Sequence, residues 1–184
     1  VGGELIKVMT GIRRSGKSGM LELSKEELAE AGVAPSQMIS INFEDMRYSH
    51  LQTATALHDE IIKRAEGIEG KAYLFFDEIQ EVEGWEKCVN SLRVALDCDI
   101  YITGSNAKLL SGELATYIGG RYVEFVIYPF SFAEFLELYH TIAPSDSIQQ
   151  CFQKYLLAGG MPYLANLRYE EEPSRQYLTD LFNS

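Results

Sequence analysis

The chain has 184 residues, 46% of them hydrophobic and 23% charged, the composition of an ordinary globular protein with enough length for a real core. It carries 16 basic and 27 acidic residues, a formal net charge of −11, which argues against coating nucleic acid or an anionic membrane by bulk charge. The length favours one domain, or one domain plus part of a second.

In chain order, residues 5–9 form a short apolar run bounded by glycines, the pattern of a buried strand. Residues 18–31 set Met20, Leu21, Leu23 and Leu28 among charges and stop near Gly32, which predicts a helix. A second strand is expected at 38–43. Leu51, Ala54, Leu57, Ile61 and Ile62 recur at helical spacing and predict an amphipathic helix over 50–65. A wholly apolar strand at 72–76 precedes Asp77 and Glu78. A helix over 86–96, a strand at 99–103 and a strand at 122–127 follow. Strands apolar on both faces that alternate with helices predict an α/β fold. That fold is a three-layer sandwich around a mainly parallel five-stranded sheet. After Ser131 only helices are expected, over 132–139, 148–157 and 173–182. The expected division is a core at 1–143 and a helical lid, or the start of a second domain, at 144–184.

Cys88, Cys98 and Cys151 are scattered and form no metal or disulfide pattern. They point to a reducing, cytoplasmic setting. The three histidines read as surface or packing residues. No apolar run approaches the roughly 18 residues of a membrane span, and no signal peptide is visible. The chain starts at Val1 and stops after helical sequence, so a fragment of a longer protein is expected.

Gly11-Ile12-Arg13-Arg14-Ser15-Gly16-Lys17-Ser18 matches the phosphate-binding loop, G-x-x-x-x-G-K-[ST], between an expected strand and an expected helix. Its glycines let the backbone turn its N–H groups inward to an anion, and the helix that follows adds its positive end. Lys17 reaches the β- and γ-phosphates, and the Ser18 hydroxyl serves Mg2+. Arg13 and Arg14 face either nucleotide or solvent. Asp77-Glu78, closing an apolar strand downstream, read as a Walker B pair: Asp77 for the metal, Glu78 as general base for the attacking water. Asn106, just after the next strand, is the candidate sensor, with Ser105 second. Arg121 after Gly119-Gly120 is either a surface arginine or a group that stabilises transferring phosphoryl charge in cis or from a neighbouring subunit. Glu44 and Asp45 close the second strand and could lie near the attacking water. Trp85, Tyr128, Phe130, Phe132 and Phe135 read as core.

The stretches KVMTGIRRSGKS, SINFED, YLFFDEIQEVEGWE, YITGSN, GGRYVEFVIYPFSFAEFL and AGGMPYL together resemble the AAA+/STAND class of P-loop ATPases. Within that class they are similar to a family of bacterial and archaeal AAA-type ATP-binding proteins related to the archaeal ATPases. The likeness runs from Leu5 to about Leu167. It implies a sheet in which the Walker B and sensor strands neighbour the phosphate-loop strand. It implies nucleotide on Gly11, Arg13, Arg14, Ser15, Gly16, Lys17, Ser18 and Gly19, metal on Ser18 and Asp77, and catalysis by Lys17, Glu78, Asn106 and Arg121. It also implies a lid that starts near Gly159-Gly160 and a further C-terminal region, which this chain lacks. Gly19 departs from the pattern, because relatives place a hydroxyl or larger residue there. The missing contact to the α-phosphate is worth about 0.5–1.5 kcal/mol.

The expected activity is Mg2+-dependent hydrolysis of ATP to ADP, coupled to motion of domains outside this chain. The alternative is a slow-hydrolysing ATP/ADP switch that recruits a partner. Glu78 counts against a small-molecule kinase, and the absence of an Asn-Lys-x-Asp element counts against a GTPase. A homo-oligomer is an open expectation, and nucleic acid is not supported by this charge balance.

Overall fold

The computed structural model describes residues 5–104 and 118–183. Five parallel strands form one sheet: β1 (Ile6–Thr10), β2 (Met38–Asn42), β3 (Ala72–Asp77), β4 (Cys98–Thr103) and β5 (Tyr122–Val126). Their order is β2-β3-β4-β1-β5. The helices between them are α1 (Lys17–Glu30), α2 (Ala54–Ala65) and α3 (Trp85–Ala95). Three more follow: α4 (Phe132–Ile142), α5 (Ile148–Ala158) and α6 (Glu171–Phe182).

The inner strands β1, β3 and β4 are buried along nearly their whole length, as strands covered on both faces are, whereas β2 and β5 at the margins are partly exposed. Register puts Val8 beside Ile102, Ile102 beside Phe76, and Phe76 beside Ile41. This row belongs to the main core, shared with Leu57 and Ile61 of α2 and Val89 and Leu92 of α3. The alternate residues point to the opposite face. There Phe75 stacks on Tyr101 with centroids 4.8 Å apart, and Lys25 of α1 lies 5.9 Å from the Phe75 ring. The same face buries an ion pair, Lys7 to Asp99 at 3.0 Å.

Two expectations change. Strand β1, which precedes the expected phosphate loop, neighbours β4 and β5, so β3, the strand that ends in Asp77, lies one strand further away than expected. The apolar spacing predicts α2 from residue 50, yet 46–51 is a 3-10 turn capped by Asp45, and Thr53 caps the helix itself by accepting from the Ala56 N–H.

The chain divides into two compact units, one of Val1–Gly11 and Lys17–Val126, the other of Ile12–Gly16 and Ile127–Ser184. The expected division after residue 143 falls inside the second unit, beyond α4. The reason is local packing. Phe135 and Tyr139 of α4 share a core with Cys151 and Ala158 of α5, Leu164 and Tyr169. The Phe130 N–H donates to the Gly160 carbonyl at 2.7 Å, and the Tyr155 hydroxyl donates to the Phe130 carbonyl at 2.9 Å. Of the aromatics read as core, Trp85 and Phe135 are buried, whereas Tyr128 is 75% exposed.

Candidate functional site

Parallel strands bring their carboxyl ends to one edge of a sheet, and ligands of such folds bind there. In this chain that edge carries Thr10 and Gly11 where β1 ends, Asp77 and Glu78 where β3 ends, and Thr103 and Gly104 where β4 ends.

The loop after β1 depends on its glycines. Gly16 has φ 106°, a conformation that side chains disfavour. Arg14 adopts φ 64° despite its side chain. Within the second unit its guanidinium lies 5.4 Å from the Tyr177 ring centroid, and Arg13 is exposed. Ser15 is buried, its N–H donates to the Ile12 carbonyl at 3.2 Å, and among the described residues its hydroxyl has no partner. Lys17 opens α1 and is 4% exposed. Its ammonium donates to the Gly11 carbonyl at 3.3 Å and lies 4.0 Å from a Glu78 carboxylate oxygen. Ser18 and Gly19 are exposed in the first turn of the helix.

Asp77 ends β3, is 7% exposed, and has both oxygens occupied by donors. The Thr103 hydroxyl donates to one, and the Asn42 amide donates to the other at 3.1 Å. Glu78 takes φ 54°, which is unusual for a residue with a side chain and marks a strained turn. Its N–H donates to the Thr103 hydroxyl at 3.0 Å. One hydroxyl therefore ties both acids to β4. On the other side, the Gln80 amide donates to Glu78 Oε2 at 2.5 Å.

Lys17 and Ser18 thus share this edge with Asp77 and Glu78. Glu44 is exposed, and Asp45 is engaged by Arg47, whose guanidinium and N–H hold its carboxyl below the usual range. Asn106 and Ser105 lie outside the described residues. Arg121 stands at the opposite edge of the sheet: its carbonyl accepts from the Ile6 N–H at the start of β1, and its side chain reaches Asn90 at 3.4 Å. A strand of roughly 13 Å separates it from the acids. Sequence reasoning did not single out Thr103, Asn42 or Gln80. The first two are polar residues that close largely apolar strands, a signal that was present.

Among the described residues no group of three or more metal-ligating side chains occurs. The donors expected for a metal here are the Ser18 hydroxyl and the Asp77 carboxylate. That suits Mg2+ arriving with a polyphosphate, since this ion keeps most of its ligands as water and phosphate oxygen.

The sequence model of the AAA domain family matches residues 4–136. The chain belongs to that family. An uncharacterized protein of Haemophilus influenzae is 41% identical over 182 residues, covering 98% of this chain and 45% of its own length. An uncharacterized protein of Methanocaldococcus jannaschii is 34% identical, covering 96% and 41%. The chain therefore spans less than half the length of these relatives. Among solved structures, C. elegans PCH-2 aligns over 77% of this chain and 40% of its own, at 14% identity and a TM-score of 0.53. The Aeropyrum pernix ORC1 protein, solved in complex with DNA, aligns over 95% and 59% at 14% identity with a TM-score of 0.49. The fold is that of AAA-type P-loop ATPases, and the AAA family assigns the chain ATPase-type nucleotide binding. Among the described residues no helix is long and apolar enough to cross a membrane.

Proposed function

We propose that this AAA domain binds ATP with Mg2+ and hydrolyses it to ADP and phosphate. The observation that carries the reading is the placement of Lys17 and Glu78 4.0 Å apart, beside an Asp77 held by two donors. The loop N–H groups and Lys17 hold the β- and γ-phosphates. Ser18 and Asp77 hold the metal. Mg2+ when bound neutralises phosphate charge and fixes the phosphate geometry. Glu78 accepts a proton from water as its oxygen bonds to the γ-phosphorus, the β–γ bridging P–O bond breaks, and ADP leaves with that electron pair. Asn106 is the proposed sensor, and Arg13, Arg14, Ser15 and Gly19 complete the nucleotide contacts.

Arg121 stands too far from these acids to serve the same subunit, which supports the trans version: it completes the site of a neighbouring copy. That version needs a homo-oligomer. Coupling to regions beyond this chain is supported by the greater length of the relatives. A cytoplasmic setting is supported by three free cysteines.

The test is nucleotide binding and turnover for Glu78→Gln. Retained ATP affinity with turnover reduced at least a hundredfold is expected. Turnover at the parental rate overturns the assignment of Glu78 as base. One observation favours a second reading, the slow ATP/ADP switch: Glu78 already faces Lys17, so the base is engaged by the cation that phosphate would claim. Parental turnover near ~1 per second supports the hydrolase, and a rate about a hundredfold lower supports the switch.

A further inference from the structure

A general base works only if its carboxylate stays aimed while its surroundings change. Among the described residues, two neighbours meet the Glu78 carboxylate, Lys17 at one oxygen and Gln80 at the other. Lys17 cannot be a constant partner, because the proposed reaction calls it to the phosphates. Gln80 is neutral and has no such second duty. It sits two residues along, on the 3-10 turn Ile79–Glu81, whose first residue is fully buried.

The orientation of the Gln80 amide follows from chemistry. A carboxylate only accepts hydrogen bonds, so the end facing it at 2.5 Å is the NH2 group. The other end, Oε1, is buried and has no hydrogen-bond partner among the described residues. A buried carbonyl without a donor is unfavourable. The side chain accepts that cost in the rotamer that serves Glu78. The backbone points the same way. Glu78 adopts φ 54° and its N–H is fixed by Thr103. The strained turn and the short side-chain bond hold one carboxylate from two directions.

We propose that Gln80 is a positioning residue for hydrolysis: it keeps the Glu78 carboxylate on the attacking water after Lys17 has turned to the phosphates. The proposal rests on the ATPase reading above. Gln80 touches the base and not the nucleotide, so its loss lowers kcat and leaves the KM for ATP alone. A displacement of about 1 Å at a reacting group costs on the order of a hundredfold.

The test compares kcat, KM and ATP affinity in the full-length protein for Gln80→Met, which keeps the length and removes the donor, and Gln80→Glu, which keeps the shape and sets a second carboxylate against Glu78. Glu78→Gln is measured beside them. The expected result is a roughly 10- to 100-fold loss of kcat in Gln80→Met and a larger loss in Gln80→Glu, with KM and affinity within about threefold of the parent. Gln80→Glu carries the test if Gln80→Met fails to fold. Parental kcat in either folded variant, alongside an inactive Glu78→Gln, overturns the proposal alone. So does a kcat loss accompanied by an equal loss of ATP affinity, or failure of both variants to fold, since each marks a structural role. An active Glu78→Gln is a separate outcome, which removes the base assignment and the proposal with it.

Discussion

The Lys17 ammonium and the Glu78 carboxylate stand 4.0 Å apart, one from the start of α1 and the other from the end of β3. The contact joins the group expected to greet phosphate to the group expected to activate water. Removing the lysine leaves Glu78 without its cation and the phosphates without theirs. Lys17→Ala is therefore expected to lose ATP affinity first, which nucleotide titration measures directly.

Thr103 serves both acids through one hydroxyl, accepting from the Glu78 N–H and donating to Asp77. Thr103→Val keeps the shape and removes both bonds. It leaves a buried acceptor and a strained N–H poorly satisfied, at an expected cost of about 1–3 kcal/mol in stability. ATP turnover should fall about tenfold or more, with a higher Mg2+ requirement. Chemical denaturation and a Mg2+ titration of turnover check the two effects.

Gly160 packs its backbone against Phe130. A Cβ there would lie 2.0 Å from the Phe130 carbonyl oxygen, a distance no rearrangement of a side chain relieves. Gly160→Ala is expected to cost about 3 kcal/mol and to loosen the aromatic cluster around Phe135. Gly19 is the contrast, since a Cβ added there would meet nothing within 4 Å. Gly19→Thr is expected to fold normally and to tighten ATP binding by about 0.5–1.5 kcal/mol, or roughly 2- to 12-fold, if its hydroxyl reaches the α-phosphate. Thermal unfolding and ATP titration test the pair.

Arg121, at the amino edge of the sheet, predicts complementation between subunits. Arg121→Ala and Lys17→Ala are each expected to be inactive alone. Mixed, the intact arginine of one serves the intact loop of the other, and turnover recovers. A mixture as inactive as its parts, with oligomers present, contradicts the trans role.

Burial pushes the Cys88 thiol up to about 12, and burial with the nearby Asp99 pushes Cys98 up to about 11. An unfolded thiol ionises near pH ~8.5, so above that pH the unfolded state binds fewer protons than the folded one. Stability therefore falls as pH rises from about 8.5 toward 12, with Cys88 contributing up to ~1.4 kcal/mol per pH unit. Both thiols should resist alkylation at pH ~8 until the protein unfolds, which mass spectrometry after timed labelling measures.

The sheet is legible in the sequence because its strands are apolar and punctuated by glycine and acids. Lys17, Ser18, Asp77 and Glu78 are legible because a motif holds their spacing. Thr103 and Asn42 are not, since they meet Asp77 across 26 and 35 residues, through register that single-strand patterns do not carry. Arg121 is ambiguous for another reason: a parallel sheet puts it at the amino end of β5, but the sequence does not say whether it serves its own loop or a neighbour's. A proline suggests the break near residue 144, whereas the Phe130–Gly160 pairing ties α4 to the later helices.

The central claim is hydrolysis at this loop, and phosphate release from Mg2+-ATP by the full-length protein tests it most directly, with Lys17→Ala as the blank. The account predicts steady release that the blank lacks and that chelation of Mg2+ abolishes. Release equal in the two proteins, or none from either despite bound ATP, would contradict it.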